Sequence, residues 1–180
     1  MDHFYKDLGE QWFDYPELYK KMVDDLPTNS HFVEVGVWKG MSAVYMAVEI
    51  INSGKRIRFD CVDNWDQIDP VIADHLYVNL YETFLNNIKP VEHIINPIRS
   101  ISWEAASFYK DKSLDFVFID ASHDYESVKK DIEAWCPKVR EGGVIAGHDY
   151  KWCKDVQKAV AEYFQNKTIT PMGSCWVIYN

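Results

Sequence analysis

An α/β fold, with a doubly wound sheet of about seven strands, is predicted by three features of this sequence. Apolar strand-like segments alternate with helical patterns, which is typical of a mostly parallel sheet with helices on both faces. A turn that contains an acid and two glycines, from Glu34 to Gly40, joins the first strand to the first long helix. Residues 168–179 read as two strands joined by a turn, which predicts an antiparallel C-terminal hairpin.

The composition favours a small-molecule partner. A formal charge of −9 and scattered lysines and arginines argue against nucleic acid, because phosphate binding needs clustered cations. No apolar run approaches the roughly 20 residues that span a bilayer, so no membrane partner is expected. The acidic N-terminus does not resemble a signal peptide, and the four cysteines show no C-x-x-C spacing. A cytoplasmic location is therefore expected, with Cys61 and Cys175 as buried apolar residues.

The predicted elements form a single domain over residues 1–180. Asp14 and Glu17 around Pro16 have the spacing of a capping box, which predicts a helix in the N-terminal segment 1–30. Apolar residues every four positions predict at least one helix in residues 66–90, expected to shape the substrate region. The predicted strands are 31–35, 57–62, 92–96, 114–120, 144–147, 168–170 and 174–179; the other predicted helices are 41–53, 103–109, 125–135 and 156–163.

The turn after the first strand predicts a ligand site. Gly36 lets the backbone approach a ligand, and Gly40 lets the following helix pack close to its strand. Dinucleotide sites use G-x-G-x-x-G to seat a pyrophosphate on the helix N-terminus. The spacing here places Val37, Trp38 and Lys39 between the glycines, which favours a ligand without a diphosphate.

Polar residues follow the predicted strands where ligands bind in doubly wound sheets. Asp63 lies 23 residues after Gly40 and is predicted to accept hydrogen bonds from ribose hydroxyls; the alternative is an Asp that shapes a turn or caps a helix. Trp38 or Trp65 would cover the ligand or belong to the core. Ser102 would contact adenine or act as a helix N-cap.

Asp120 and Asp149 end strands that are expected to be neighbours, so their carboxylates can converge on a divalent cation, with His148 as the third ligand. Mg²⁺ suits carboxylates and water, whereas an imidazole favours Mn²⁺, Fe²⁺ or Zn²⁺. His123 is positioned to take a proton from a substrate hydroxyl. The alternatives are that Asp120 hydrogen-bonds the cofactor, that Asp149 caps the next helix, and that His123 is structural.

The motifs in residues 34–40, 115–125 and 142–150 together resemble those of class I S-adenosylmethionine-dependent methyltransferases. The chain is most similar to methyltransferase family 24, over about residues 31–150, and in turn to metal-dependent catechol and caffeoyl-type O-methyltransferases and cephalosporin-hydroxylase-like proteins. The resemblance implies a Rossmann-like fold and metal-assisted O-methylation of a hydroxyl on a small molecule. It also implies that position 123 holds the catalytic base.

The resulting site predictions fall into three sets. The cofactor-binding set is Glu34, Gly36, Val37, Trp38, Gly40, Ser42, Asp63, Asn64, Trp65, Ser102 and Asp120. The catalytic set is Asp120, His123 and His148, and the metal set is Asp120, His148 and Asp149, holding Mg²⁺ or Mn²⁺.

Two other functions stay open at this point. A catalytically silent protein that binds S-adenosylmethionine or another nucleoside would carry the same turn and Asp63. A nicotinamide-dependent oxidoreductase would share the strand–turn–helix start, but the glycine spacing and the C-terminal hairpin count against it. Homodimer formation, which would complete a substrate pocket, is also left open.

Overall fold

The computed structural model describes residues 1–9, 12–66 and 79–180. Its sheet has the order β3-β2-β1-β4-β5-β7-β6, in which β1 to β5 are parallel and β7 runs antiparallel to both of its neighbours. The predicted fold class and hairpin are therefore confirmed. The strands are β1 (His31–Val35), β2 (Arg58–Asp63), β3 (Ile95–Arg99), β4 (Leu114–Ile119), β5 (Val139–Gly147), β6 (Thr170–Met172) and β7 (Cys175–Tyr179).

Helices cover both faces of the sheet. Alternate side chains of β1 and β4 lie on opposite faces of the sheet: Phe32 and Phe116 belong to one apolar cluster, and Val33 and Val117 belong to the other. Helices α1 to α3 pack in the first cluster and α4 to α6 in the second, so the central strands are apolar on both faces. The helices are α1 (Pro16–Asp25), α2 (Met41–Ser53), α3 (Leu80–Ile88), α4 (Ser102–Ala105), α5 (Tyr125–Trp135) and α6 (Lys154–Tyr163).

Several predicted boundaries need correction. Strand β3 begins at Ile95 instead of residue 92, because residues 91–94 close a turn in which Ile94 N donates to Val91 O. Strand β5 begins at Val139, five residues before the prediction, and passes an irregularity in its pairing with β4. The strand predicted at 168–170 lies at Thr170–Met172, where Pro171 is tolerated on the edge of the sheet.

The predicted capping box at α1 is wrong. Tyr15 occupies the N-cap position and its side chain makes no capping hydrogen bond, while the Asp14 carboxylate accepts from the Ser174 hydroxyl. Helix α3 lies within the predicted 66–90 insertion, but residues 67–78, which include Ile72 and Leu76, lie outside the described residues. Cys61 and Cys175 are buried as predicted. No helix in the described ranges is both long and apolar enough to cross a bilayer.

The C-terminus of α1 is held by a lysine from another part of the chain. Lys55 Nζ donates to the backbone oxygens of Val23 at 2.7 Å, Asp24 at 2.7 Å and Leu26 at 2.8 Å. These carbonyls have no partners within the helix, and a cation there also complements the helix dipole.

Replacement of Lys55 by Met should therefore lower the free energy of unfolding by about 1–3 kcal/mol, since three polar acceptors lose their donor. Urea denaturation of the full chain measures the change. Lys154→Met, at an exposed position, is the control and should stay within about 0.5 kcal/mol of wild type. Equal stabilities of the two variants would contradict the capping role.

A buried carboxyl group links α4 to α5. Asp131 is 1% exposed and accepts a hydrogen bond from the Ser102 hydroxyl. Burial raises the pKa of Asp131 to about 7, and the Ser102 hydrogen bond only partly opposes this. The folded protein therefore holds a proton on Asp131 at pH values where the unfolded chain does not.

The free energy of unfolding should consequently fall as the pH rises between about 4 and 7, by at most about 1.4 kcal/mol per pH unit from this residue. Asp131→Asn should remove that part of the slope, because the amide does not titrate and its oxygen can still accept from Ser102. Denaturation curves of both proteins across this range measure the difference. An unchanged slope in the variant would show that Asp131 ionises normally.

Candidate active site

The turn after β1 touches the end of β4. Gly36 has φ 84°, and a Cβ at this position would lie 2.1 Å from the backbone oxygen of Asp120. Asp120 N donates to Val35 O at 2.7 Å in the same region. Gly36 is therefore required for this contact within the chain, and its close approach to a ligand stays a prediction. Gly40 has φ 85°, and a Cβ there would meet Phe84 of α3 at 2.8 Å.

Glu34 is a buried carboxyl group at the end of β1. It is 1% exposed, and its Oε1 accepts a hydrogen bond from the Ser42 hydroxyl. Its Oε2 has no hydrogen bond of full geometry among the described residues, although the Tyr19 hydroxyl lies close enough to lower the pKa of Glu34. Burial raises the pKa of Glu34 to about 8, against the effect of the Ser42 hydrogen bond. At neutral pH this carboxyl group is therefore mostly protonated, and the positive charge of a ligand ammonium beside Oε2 would lower its pKa and favour the ionised form that accepts hydrogen bonds.

Asp63 holds the turn after β1. Its Oδ2 accepts from the backbone N–H groups of Val37 and Trp38, each at 2.9 Å, and its Oδ1 accepts from Trp65 N at 2.8 Å. Burial raises the pKa of Asp63 despite these hydrogen bonds. A carboxylate offers about four lone-pair sites; three are used by these donors, and the Asn64 N–H makes only a weaker contact, so a ligand donor can compete for the fourth. Asp63 therefore shapes a turn and can still accept from a ribose hydroxyl.

The two tryptophans of the predicted site lie in different surroundings. Trp38 stacks on Trp12 of the N-terminal segment, with ring centroids 4.4 Å apart. Trp65 is buried, lies 4.7 Å from the Phe84 ring, and donates from Nε1 to Trp38 O at 3.0 Å. Next to it, Asn64 Oδ1 accepts from Asp66 N at 3.2 Å. The turns after β1 and β2 are thus tied together.

Ser102 is engaged on the side of α5. Its hydroxyl donates to Asp131 and accepts a hydrogen bond from Trp135 Nε1 at 3.4 Å. Ile101 is the N-cap of α4, so the alternative in which Ser102 caps that helix is wrong. An adenine contact by this hydroxyl would have to be shared with Asp131.

The predicted catalytic and metal residues come together beyond β4 and β5. His123 Nε2 lies 2.8 Å from Asp149 Oδ2 and 3.9 Å from Asp120 Oδ1. His148 Nδ1 lies 3.2 Å from Asp149 Oδ2 and 3.4 Å from Asp120 Oδ1. Asp120, His123 and Asp149 present ligand atoms within 4.8 Å of one another, a spacing suited to one cation. These three residues and His148 are called the carboxylate–imidazole cluster below.

Three further residues, which sequence reasoning did not place at this site, contact the cluster. Asp14 Oδ1 lies 3.0 Å from His148 Nε2 and accepts from the Ser174 hydroxyl at 2.6 Å. The Tyr15 hydroxyl donates to Asp120 Oδ2 at 2.8 Å. The only local signal at Asp14 was its spacing to Glu17, which indicated a helix cap.

The cluster balances its own charge. Hydrogen bonds to Asp120 and Asp149 raise the pKa of His123 to about 10. Burial lowers the pKa of His148, but contacts with the same two carboxylates outweigh it and raise the pKa to about 10. The histidines in turn hold the pKa of Asp149 well below its usual range. Both imidazoles are therefore protonated at neutral pH in this arrangement.

Comparisons with known proteins identify the family and the fold. The model of a methyltransferase domain family, family 24, matches residues 33–150. The fold is similar to that of the O-methyltransferase NovP, at 19% identity and TM-score 0.73, covering 92% of this chain and 78% of that one. Comparison with curated proteins gives no match.

Two other solved structures share the fold. The calicheamicin methyltransferase CalS11 is 14% identical with TM-score 0.61, covering 91% of this chain and 76% of that one. Fibrillarin from Aeropyrum pernix, with natively bound S-adenosylmethionine, is 14% identical with TM-score 0.57, covering 91% and 73%. The family match over residues 33–150, most of the chain, shows that the protein belongs to methyltransferase domain family 24 and is an S-adenosylmethionine-dependent methyltransferase.

Proposed function

We propose that this enzyme methylates a hydroxyl group of a small molecule, with a divalent cation held by Asp120, His148 and Asp149. The observation that carries the proposal is the contact between the Gly36 turn and Asp120, which places the carboxylate–imidazole cluster beside the residues proposed for the cofactor. A hydroxyl bound at the cluster would lie at the same edge of the sheet as the methyl donor.

The residues around the Gly36 turn fit S-adenosylmethionine. The unpaired Oε2 of Glu34 would accept from the ammonium group, and the remaining acceptor site of Asp63 would accept from a ribose hydroxyl. Trp38 would cover the nucleoside. The cofactor supplies an electrophilic methyl group, and the chain contributes mainly positioning and electrostatics.

His123 is proposed to accept the proton of the hydroxyl. Without a metal cation beside Asp120 and Asp149, the raised pKa of His123 keeps its imidazole protonated. Positive charge beside Asp120 and Asp149 would lower that pKa and leave the ring free to accept. His123 is half exposed, so it can reach a bound acceptor. The base role is therefore proposed only together with the cation. The cytoplasmic location, the lack of nucleic-acid and membrane partners, and the homodimer stay predictions.

Calorimetric titration with S-adenosylhomocysteine tests the cofactor site, with NAD as the control ligand. We expect micromolar binding of the nucleoside, no binding of NAD, and at least tenfold weaker nucleoside binding by Asp63→Asn, since the amide presents only one acceptor oxygen. Asp66→Asn, three residues on and exposed, should bind like wild type. Circular dichroism separates a lost ligand contact from a misfolded turn. Equal affinities of both variants would remove Asp63 from the site.

His123→Gln should lower kcat at least a hundredfold and leave the S-adenosylhomocysteine affinity unchanged, because proton transfer is lost and the cofactor contacts are kept. Methyl transfer to catechol, with Mn²⁺ present, is the assay, and His93→Gln at an exposed position is the control. Weakened cofactor binding in the variant would contradict the division of roles. Nucleoside binding by wild type without transfer to any of a panel of catechols, phenols and sugars would favour a silent binding protein.

A further inference from the structure

We infer that the cation site selects an imidazole-binding transition-metal ion over Mg²⁺, and that Asp14 is the positioning residue that sets this preference. The inference rests on the proposed function for the location of the methyl acceptor, and it names the class of ion that the same site would take. It is argued from the orientation of two ligand residues and from the chemistry of their donor atoms.

The first step concerns the orientation of His148. Its Nε2 lies 3.0 Å from Asp14 Oδ1, and an ionised carboxylate only accepts hydrogen bonds, so Nε2 carries the proton. Nδ1 faces Asp120 and Asp149, and without a cation it also carries a proton, which it donates to these carboxylates. A cation that displaces the Nδ1 proton would meet the lone pair there, because the contact with Asp14 keeps the other proton on Nε2. Carboxylates that bind the outer nitrogen of a ligating histidine fix its tautomer and its ring orientation in this way.

Asp120 is oriented by a similar contact. Tyr15, which is buried, donates to Oδ2 at 2.8 Å, so Oδ1 is the oxygen that faces the two histidines. Asp14 and Tyr15, which are adjacent in sequence, therefore orient His148 Nδ1 and Asp120 Oδ1 toward the proposed cation site. Ser174 holds Asp14 in place, since its hydroxyl donates at 2.6 Å to Asp14 Oδ1, the atom that contacts His148 Nε2.

The spacing of the donor atoms fits a metal ion with short bonds, Mg²⁺ included, so the preference depends on the chemistry of the donors. Metal–ligand bonds of about 2.0–2.1 Å place neighbouring donors roughly 2.9–3.4 Å apart in octahedral or tetrahedral geometry. His148 Nδ1 lies 3.4 Å from Asp120 Oδ1 and 3.2 Å from Asp149 Oδ2. Mg²⁺ prefers six oxygen ligands, whereas an imidazole nitrogen suits Mn²⁺, Co²⁺ and Zn²⁺. The mixed donor set is the reason for the expected preference.

Metal titration of the full chain, stripped of metal, tests the inference without measuring activity. Binding of Co²⁺ is followed by its visible absorption, and Mn²⁺, Zn²⁺ and Mg²⁺ are titrated by calorimetry. We expect one Co²⁺ per chain and at least a hundredfold weaker binding of Mg²⁺. Asp14→Asn should weaken Co²⁺ binding about 10- to 100-fold and leave Mg²⁺ nearly unchanged. Asp14→Glu should restore part of the loss, and His148→Asp should shift the preference toward Mg²⁺.

Asp155→Asn, at an exposed position in α6, is the matched control and should bind Co²⁺ like wild type. Mg²⁺ binding as tight as Co²⁺ binding, no binding of any of the four ions, or an Asp14→Asn variant identical to wild type would each overturn the inference. Titration with S-adenosylhomocysteine runs in parallel. Absent nucleoside binding would overturn the proposed function but not the metal preference.

Discussion

The candidate site depends on the absence of a side chain at Gly36. Any Cβ there would collide with the Asp120 backbone, so the turn after β1 and the end of β4 can meet only with glycine at this position. The sheet order makes the same contact possible, since β4 lies next to β1 although two strands separate them in sequence. This is the switch point of the sheet, where ligands bind in doubly wound folds. The residues proposed for the cofactor and for the cation are thereby neighbours.

The second constraint is electrostatic. Asp120 and Asp149 lie between two imidazoles, with Asp14 against the far side of His148, and partly buried carboxylates are costly unless a cation compensates them. In this structure the compensating charge is carried by protons on His123 and His148. A divalent ion at the same place would supply that charge instead, and the released imidazoles could then act as ligand and base. The cluster thus explains how the same residues can be stable alone and chemically useful with a cation.

Sequence reasoning found the parts of the site that follow from local pattern and parallel geometry. Strand β1 and helix α2, which ends at Gly54, follow from hydrophobic periodicity and glycine punctuation, and the convergence of Asp120 with Asp149 follows from strands that end at one edge. Asp14 could not be found in this way, because its contact with His148 joins residues 134 positions apart. There a tertiary contact overrides the local capping signal. Likewise, the strand predicted at 144–147 begins earlier, and Gly142 and Gly143 lie at an irregularity inside β5.

The two interpretations of Asp63, as a turn residue and as a ligand residue, are not alternatives. Its carboxylate fixes Val37 and Trp38, so the turn that would surround the cofactor is built by the residue that would bind it. Trp38 in turn stacks on Trp12, and three residues later Tyr15 binds Asp120. A segment this short spans at most about 14 Å, so its two ends are held in fixed relation. The N-terminal segment therefore joins the cofactor turn to the cation cluster, and a substitution at Asp63 affects structure and binding together.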